Sequence, residues 1–84
     1  MKILVTGGLG FIGSNFIIHI LNNFHDFTIT NVDAGFYGSN PKNVDEIKNS
    51  ENYEFVKGNI TDIKLMKKLI NDSDAVVNFA AESF

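Results

Sequence analysis

The run Ile3-Leu4-Val5 passes straight into Thr6-Gly7-Gly8-Leu9-Gly10-Phe11-Ile12-Gly13-Ser14, and Asp33 follows the last of these glycines by twenty positions. An unbroken apolar run suits a strand covered on both faces of a parallel sheet. Gly7, Gly10 and Gly13 then fall where side chains would obstruct. The first permits a sharp turn, the second lets backbone approach a pyrophosphate, and the third lets the next helix pack closely on its strand. Amides at such a helix start have no intrahelical partner and sit at the positive end of the helix dipole, so they form a site for an anion. The spacing here is G-x-x-G-x-x-G. A glycine triplet alone is weak evidence, and the strand, helix and acidic residue around it supply the context that makes it specific.

Eighty-four residues suffice for one small domain with a modest buried fraction. A hydrophobic content of 44% with a net charge of -3 fits a globular chain and argues against disorder. The seven basic residues are all Lys and are dispersed, which leaves no stripe for nucleic acid. With no Arg available, an anion must be held by backbone groups. The absence of Cys rules out disulfides and thiolate metal sites and suits a reducing compartment, so a cytoplasmic location is expected. The apolar N-terminal stretch is short and broken by glycines, and neither a signal peptide nor a membrane span is expected of it.

Periodicity divides the chain into alternating strands and helices. Lys2 to Thr6 reads as a strand, and Phe11 to about Phe24 as a helix with Ile12, Phe16, Ile17, Ile20, Leu21 and Phe24 on a broad apolar face. Phe27 to Val32 alternates apolar and polar residues and forms a second strand ending at Asp33. Ala34 to Ser39 is a loop, after which Asn40 as cap and Pro41 at the first helical position open a short helix carrying Val44 and Ile47. Tyr53 to Val56 is a third strand. Thr61 is expected to cap a further helix with Ile63, Met66, Leu69 and Ile70 inward and Lys64, Lys67 and Lys68 on its solvated side. Asp72-Ser73-Asp74 turns the chain into a fourth strand, Ala75 to Phe79.

This alternation predicts an α/β fold: the N-terminal half of a doubly wound, Rossmann-like parallel sheet, βαβαβαβ, in strand order 3-2-1-4. Ligands of such sheets bind beyond the carboxyl ends of the strands where the order reverses, between strands 1 and 4. Gly7 to Gly13 and Phe79 to Ser83 converge there. Asp33 is placed to accept hydrogen bonds from an adenosine ribose, which favours NAD over NADP. Glu82 and Ser83 could reach a ribose, a pyrophosphate or a substrate, or form a solvated chain end. Asn59 and Ile60 could meet an adenine ring or have no ligand role. Tyr53 and Lys57 match the Tyr-x-x-x-Lys catalytic pattern, but that pair needs a helix, where residues four apart lie within about 6 Å. On a strand the same spacing spans about 13 Å. His19 and His25 lack a ligand set or nucleophile in sequence and read as structural.

Thr6-Gly7-Gly8-Leu9-Gly10-Phe11-Ile12-Gly13-Ser14-Asn15 resembles the extended short-chain dehydrogenase/reductase family, which acts mainly on nucleotide sugars. Tyr53 to Ile60 and Asn78-Phe79-Ala80-Ala81-Glu82-Ser83 are similar to its nucleotide-hexose 4,6-dehydratase branch, and the likeness runs over essentially the whole chain. The resemblance implies NAD as cofactor. It implies contacts from Phe11 and Ile12, from Asp33 with Ala34, Gly35 and Phe36, from Asn59 and Ile60, and from Phe79, Ala80, Ala81, Glu82 and Ser83. Ser83 is implied also to touch the sugar nucleotide.

The family's catalytic Tyr-x-x-x-Lys pair, its Thr with adjacent acidic residues and its sugar-binding domain lie beyond position 84, so no catalytic residue is assigned. Residues 1–84 are thus expected to be a partial NAD-binding domain. The implied parent reaction oxidises a hexose at C4, eliminates water across C5 and C6 and returns the hydride to C6. A segment of a related nucleotide-sugar epimerase, or a stand-alone dinucleotide-binding module without catalysis, are the alternatives. Expected partners are a nucleotide sugar in the parent enzyme and further copies of the chain, through homo-oligomers or self-association of the fragment, with no nucleic acid and no membrane.

Overall fold

The computed structural model describes residues 1–34 and 41–79. Four parallel strands, β1 (Lys2–Thr6), β2 (Thr28–Asp33), β3 (Tyr53–Lys57) and β4 (Ala75–Asn78), form one sheet in the order β3-β2-β1-β4. The expected strand order therefore holds. β1 pairs Ile3 with Ile29 on one side and with Ala75 on the other, which makes it an interior strand, and Leu4 and Val5 are fully buried. β4 lies at the edge.

Strand pleating assigns the faces, because paired residues point the same way. Ile3, Val5, Ile29 and Tyr53 share one face and meet Ile17 and Leu21 of α1 (Phe11–Asn23), with Val44 and Ile47 completing this core. Pro41–Val44 is a short 3-10 turn rather than an α-helix, yet Val44 within it and Ile47 just after it are both buried as the pattern requires. The Asn40 cap lies outside the described residues.

α1 ends where Phe24 turns to extended backbone, its N–H still bonded to the Ile20 carbonyl. Its buried stripe is Gly13, Ser14, Ile17 and Leu21, narrower than the sequence suggests. Ile12 is 70% exposed, because the first turn of the helix projects past the strand end. Phe24 leaves the core too, stacking on Phe27 with ring centroids 5.3 Å apart.

The opposite face is thinner. There Leu4 and Val32 are fully buried, and α2 (Ile63–Asn71) covers them with the half-buried Leu65, Met66 and Leu69. Leu65 packs over Gly58, where the missing side chain leaves room for its terminal methyl. Ile63 and Ile70, expected to face inward, are exposed. The cap also differs from expectation: Asp62, not Thr61, accepts the Leu65 N–H, and Thr61 instead donates its N–H and hydroxyl to Asn59 Oδ1.

β2 departs from the half-exposed strand that its alternation suggests. Thr30, Asn31 and Asp33 are all buried. Asn31 and Asp33 have specific partners at the carboxyl end of the sheet. Replacing Asp62 by Ala is expected to lower unfolding free energy by about 1 kcal/mol through loss of the cap, and Thr61→Ala by clearly less. Urea denaturation of the two variants measures the difference.

Candidate functional site: a clamped glycine turn and its helix start

At the carboxyl ends of β1 and β2 the glycine turn is held by three consecutive amides. Gly7 N–H donates to the Val32 carbonyl at 3.0 Å, Gly8 N–H to Asn31 Oδ1 at 2.9 Å, and Leu9 N–H to Asp33 Oδ2 at 3.1 Å. From the other side, Asn43 Nδ2 donates to the Leu9 carbonyl at 2.8 Å. The turn thus hangs on the last three residues of β2. These bonds also place the Asp33 carboxylate, 7% exposed, directly against the glycine turn.

The glycines divide by physical role. Gly7 has φ of 74°, a left-handed conformation that costs a side-chain-bearing residue strain. A Cβ on Gly13 would stand 2.6 Å from the Gly7 carbonyl oxygen, so this glycine is what lets α1 approach the turn. Gly8, with no assigned role in the sequence reading, admits no side chain because Asn31 and Ile17 fill the space. Gly10 is different. It caps the helix with ordinary φ of -72°, and a Cβ there would meet only the Gly7 oxygen at 3.6 Å. Nothing in the described chain demands a glycine at that position.

No side chain caps α1. With Gly7, Gly8 and Leu9 amides committed to β2, Gly10 N–H to the Gly7 carbonyl at 3.3 Å and Ser14 N–H to the Gly10 carbonyl, the amides of Phe11, Ile12 and Gly13 are those left to face outward. They combine with the helix dipole to favour a bound anion. Phe11 and Ile12 are both largely exposed beside them.

The other predicted site residues that are described fall at the same end of the sheet. Asn59 and Ile60 follow β3, with the Asn59 side-chain oxygen already engaged by Thr61. Phe79 follows β4, its N–H bonded to the Thr6 carbonyl at 2.7 Å and its ring 5.4 Å from that of Phe16. Ala34 follows Asp33 directly and is half-buried. Gly35, Phe36, Ala80, Ala81, Glu82 and Ser83 lie outside the described residues. Tyr53 and Lys57 occupy opposite ends of β3, as the strand reading requires. His19 sits near the far end of α1 beside Asn23 and Phe24.

Asn31, Gly8 and Asn43 are the site-building residues that sequence reasoning missed. Asn31 gave no signal of this role in sequence, because its strand reads as alternating and its two partners lie on other elements. Its Nδ2 donates to the Tyr53 hydroxyl at 3.0 Å.

A model of the GDP-mannose 4,6 dehydratase family matches residues 4–84. The chain belongs to that family. It is 46% identical to the low-salt glycan biosynthesis protein Agl12 of Haloferax volcanii, covering 99% of the chain and 26% of that relative. The NAD complex of dTDP-glucose 4,6-dehydratase from Bacillus anthracis superposes with a TM-score of 0.90 at 48% identity, over 98% of this chain and 27% of that one. The Streptomyces venezuelae dTDP-glucose 4,6-dehydratase DesIV, with NAD and TYD bound, gives 0.92 at 35% identity over 100% and 27%. The chain therefore spans about a quarter of the length of the relatives it matches. Among the described residues no helix is long and apolar enough to cross a membrane.

The Tyr53 phenol, hydrogen-bonded to Asn31, is perturbed by its surroundings. Burial raises its pKa above the ordinary 10.0, the Asn31 hydrogen bond lowers it, and the Asp33 carboxylate raises it further. A raised phenol pKa means that the unfolded chain ionises first as pH rises, so the contribution is complete below pH 10 and lost through the folded value. Stability in urea is expected to fall above pH 10, and to fall less steeply in Tyr53→Phe.

Proposed function

We propose that residues 1–84 form the NAD-binding portion of a nucleotide-sugar 4,6-dehydratase of the dTDP-glucose type, acting in the cytoplasm. One observation carries the reading: the turn spends its own amides on β2, presents the next three uncapped, and holds a carboxylate beside them. The Phe11, Ile12 and Gly13 amides bind the diphosphate. Gly10, free of any packing requirement, leaves room for it to approach. Asp33 accepts the adenosine ribose hydroxyls, a carboxylate having capacity for about four hydrogen bonds including the one from Leu9. A 2′-phosphate brought to the same carboxylate meets like charge, which selects NAD over NADP.

Bound there, NAD would supply reversible hydride acceptance from the hexose. The chain's own part is to fix the dinucleotide at the sheet's reversal point. Ala34, Gly35, Phe36, Asn59 and Ile60 are proposed around the adenosine, and Phe79, Ala80, Ala81, Glu82 and Ser83 along the far side, with Ser83 also toward the sugar nucleotide. A pair of acid-base residues supplied from beyond position 84 does the proton transfers. Likeness at 48% and 35% identity to dehydratases solved with NAD supports this assignment.

Titration of the protein with NAD and NADP tests it. Tighter binding of NAD is expected, with Asp33→Ala weakening NAD by about tenfold, the scale of hydrogen bonds to a charged group, and erasing the preference. Equal binding of both cofactors by the unaltered protein would remove Asp33 from the site.

The same chain is proposed to self-associate. β4 lies at the sheet edge, Val76 is half exposed on the thin face, and Ile63 and Ile70 are exposed on α2 beside it. Sedimentation is expected to show mass rising with concentration, and Val76→Lys to shift the equilibrium toward monomer. A constant monomer mass would contradict it.

A further inference from the structure

Asn31 is fully buried near the end of β2, a position that an apolar side chain would fill at less desolvation cost. Both ends of its carboxamide are used. Oδ1 accepts from Gly8 N–H at 2.9 Å and Nδ2 donates to the Tyr53 hydroxyl at 3.0 Å, linking the glycine turn to β3 across β2. The neighbouring links of the turn, to the Val32 carbonyl and the Asp33 carboxylate, come from backbone and from a group proposed to bind ribose. Of the three links that the turn's amides make to β2, the middle one alone depends on a side chain with no ligand role.

A carboxamide has two faces, and only one presents oxygen to an N–H. The Gly8 amide selects that face, and the Tyr53 oxygen satisfies the N–H that remains. Tyr53 thereby holds Asn31 in the orientation that the turn needs. Gly8 in turn cannot shift toward β2, because Asn31 and Ile17 occupy the space that even a Cβ would require.

We propose that Asn31 and Tyr53 are a buried positioning pair that fixes the Gly8 peptide, so that the Phe11 to Gly13 amides stand in binding geometry before the dinucleotide arrives. This inference rests on the dinucleotide reading of the turn. Neither residue touches the ligand. Their effect is preorganisation: a turn already held in place loses less freedom on binding.

The test is NAD affinity by calorimetry for the protein, Asn31→Val, Tyr53→Phe and the double variant, with Leu21→Ala as a core variant remote from the turn. Asn31→Val removes both hydrogen bonds and is expected to weaken NAD about tenfold, and Tyr53→Phe about threefold, in line with one or two net hydrogen bonds. The double variant should be no weaker than Asn31→Val alone, because Tyr53 acts only through Asn31. Leu21→Ala should lower thermal stability at least as much with NAD affinity within about twofold of the parent, which separates positioning from general loosening. Tyr53→Phe opens no cavity and carries the test where Asn31→Val does not fold. Parental affinity in a folded Asn31→Val or Tyr53→Phe variant, or additive losses in the double, would overturn the positioning role alone. Failure of the unaltered protein to bind NAD would overturn the dinucleotide reading and the positioning role together.

Discussion

The capture of three successive turn amides by the last three residues of β2 is the constraint from which the rest of the structure follows. Each buried N–H left without a partner would cost about 1–3 kcal/mol, so the turn has little freedom to rearrange while β2 is in place. Because β2 pairs with β1 in fixed register, Val5 beside Asn31 and Thr6 beside Val32, the turn leaves β1 in one position only. The helix start is then set by covalent geometry. Gly7 supplies the left-handed residue that reverses the chain, and Gly13 lets α1 close over it. Amides at 11 to 13 face outward because every earlier amide has been drawn inward.

That arrangement joins function to the better-packed face of the sheet. Ile17 and Leu21 bind α1 to Ile3, Val5 and Ile29, and Ile47 and Val44 close the same core from β2's far side. Asn43, one residue before Val44, reaches the Leu9 carbonyl, so burial of the 3-10 turn also fixes the glycine turn. The second face has α2 without a single buried residue, its Leu65 packed over Gly58. A chain of this length buries a limited share of its surface. Most of its buried apolar residues belong to the cluster on the α1 face.

Legibility in the sequence follows the range of the interaction. Gly7 and Gly13 act within seven residues of one another, and their roles can be read from spacing, as can the parallel order of strands joined by helices. Asp33 is legible through its distance from the glycines and its place at a strand end. Asn31 is not, because its two partners lie 23 and 22 positions away and meet only once three strands are in register. Gly8 owes its identity to that same meeting. Helix faces fail for a different reason: a period of 3.6 residues marks one stripe but not how far the sheet beneath it extends. Ile12 and Phe24 fall on the stripe and beyond the sheet. Thr61 and Asp62 are adjacent competent caps, and Asn59 decides between them by taking the Thr61 hydroxyl for its own turn.

The position of Asp33 ties cofactor choice to the fold itself. Its Oδ2 accepts the Leu9 amide, so the residue proposed to select the ribose is also part of the scaffold that presents the diphosphate-binding amides. Removing the carboxylate therefore acts twice, once on ribose contacts and once on the turn. Asn at this position would retain an oxygen for Leu9 while losing the charge that repels a 2′-phosphate, and so divides the two effects. A chain without Arg cannot offset the loss by pairing that phosphate with a guanidinium. Relaxing the proposed selectivity here would weaken the penalty against NADP without creating a site for it among these residues, so the preference proposed for NAD rests on the Asp33 carboxylate.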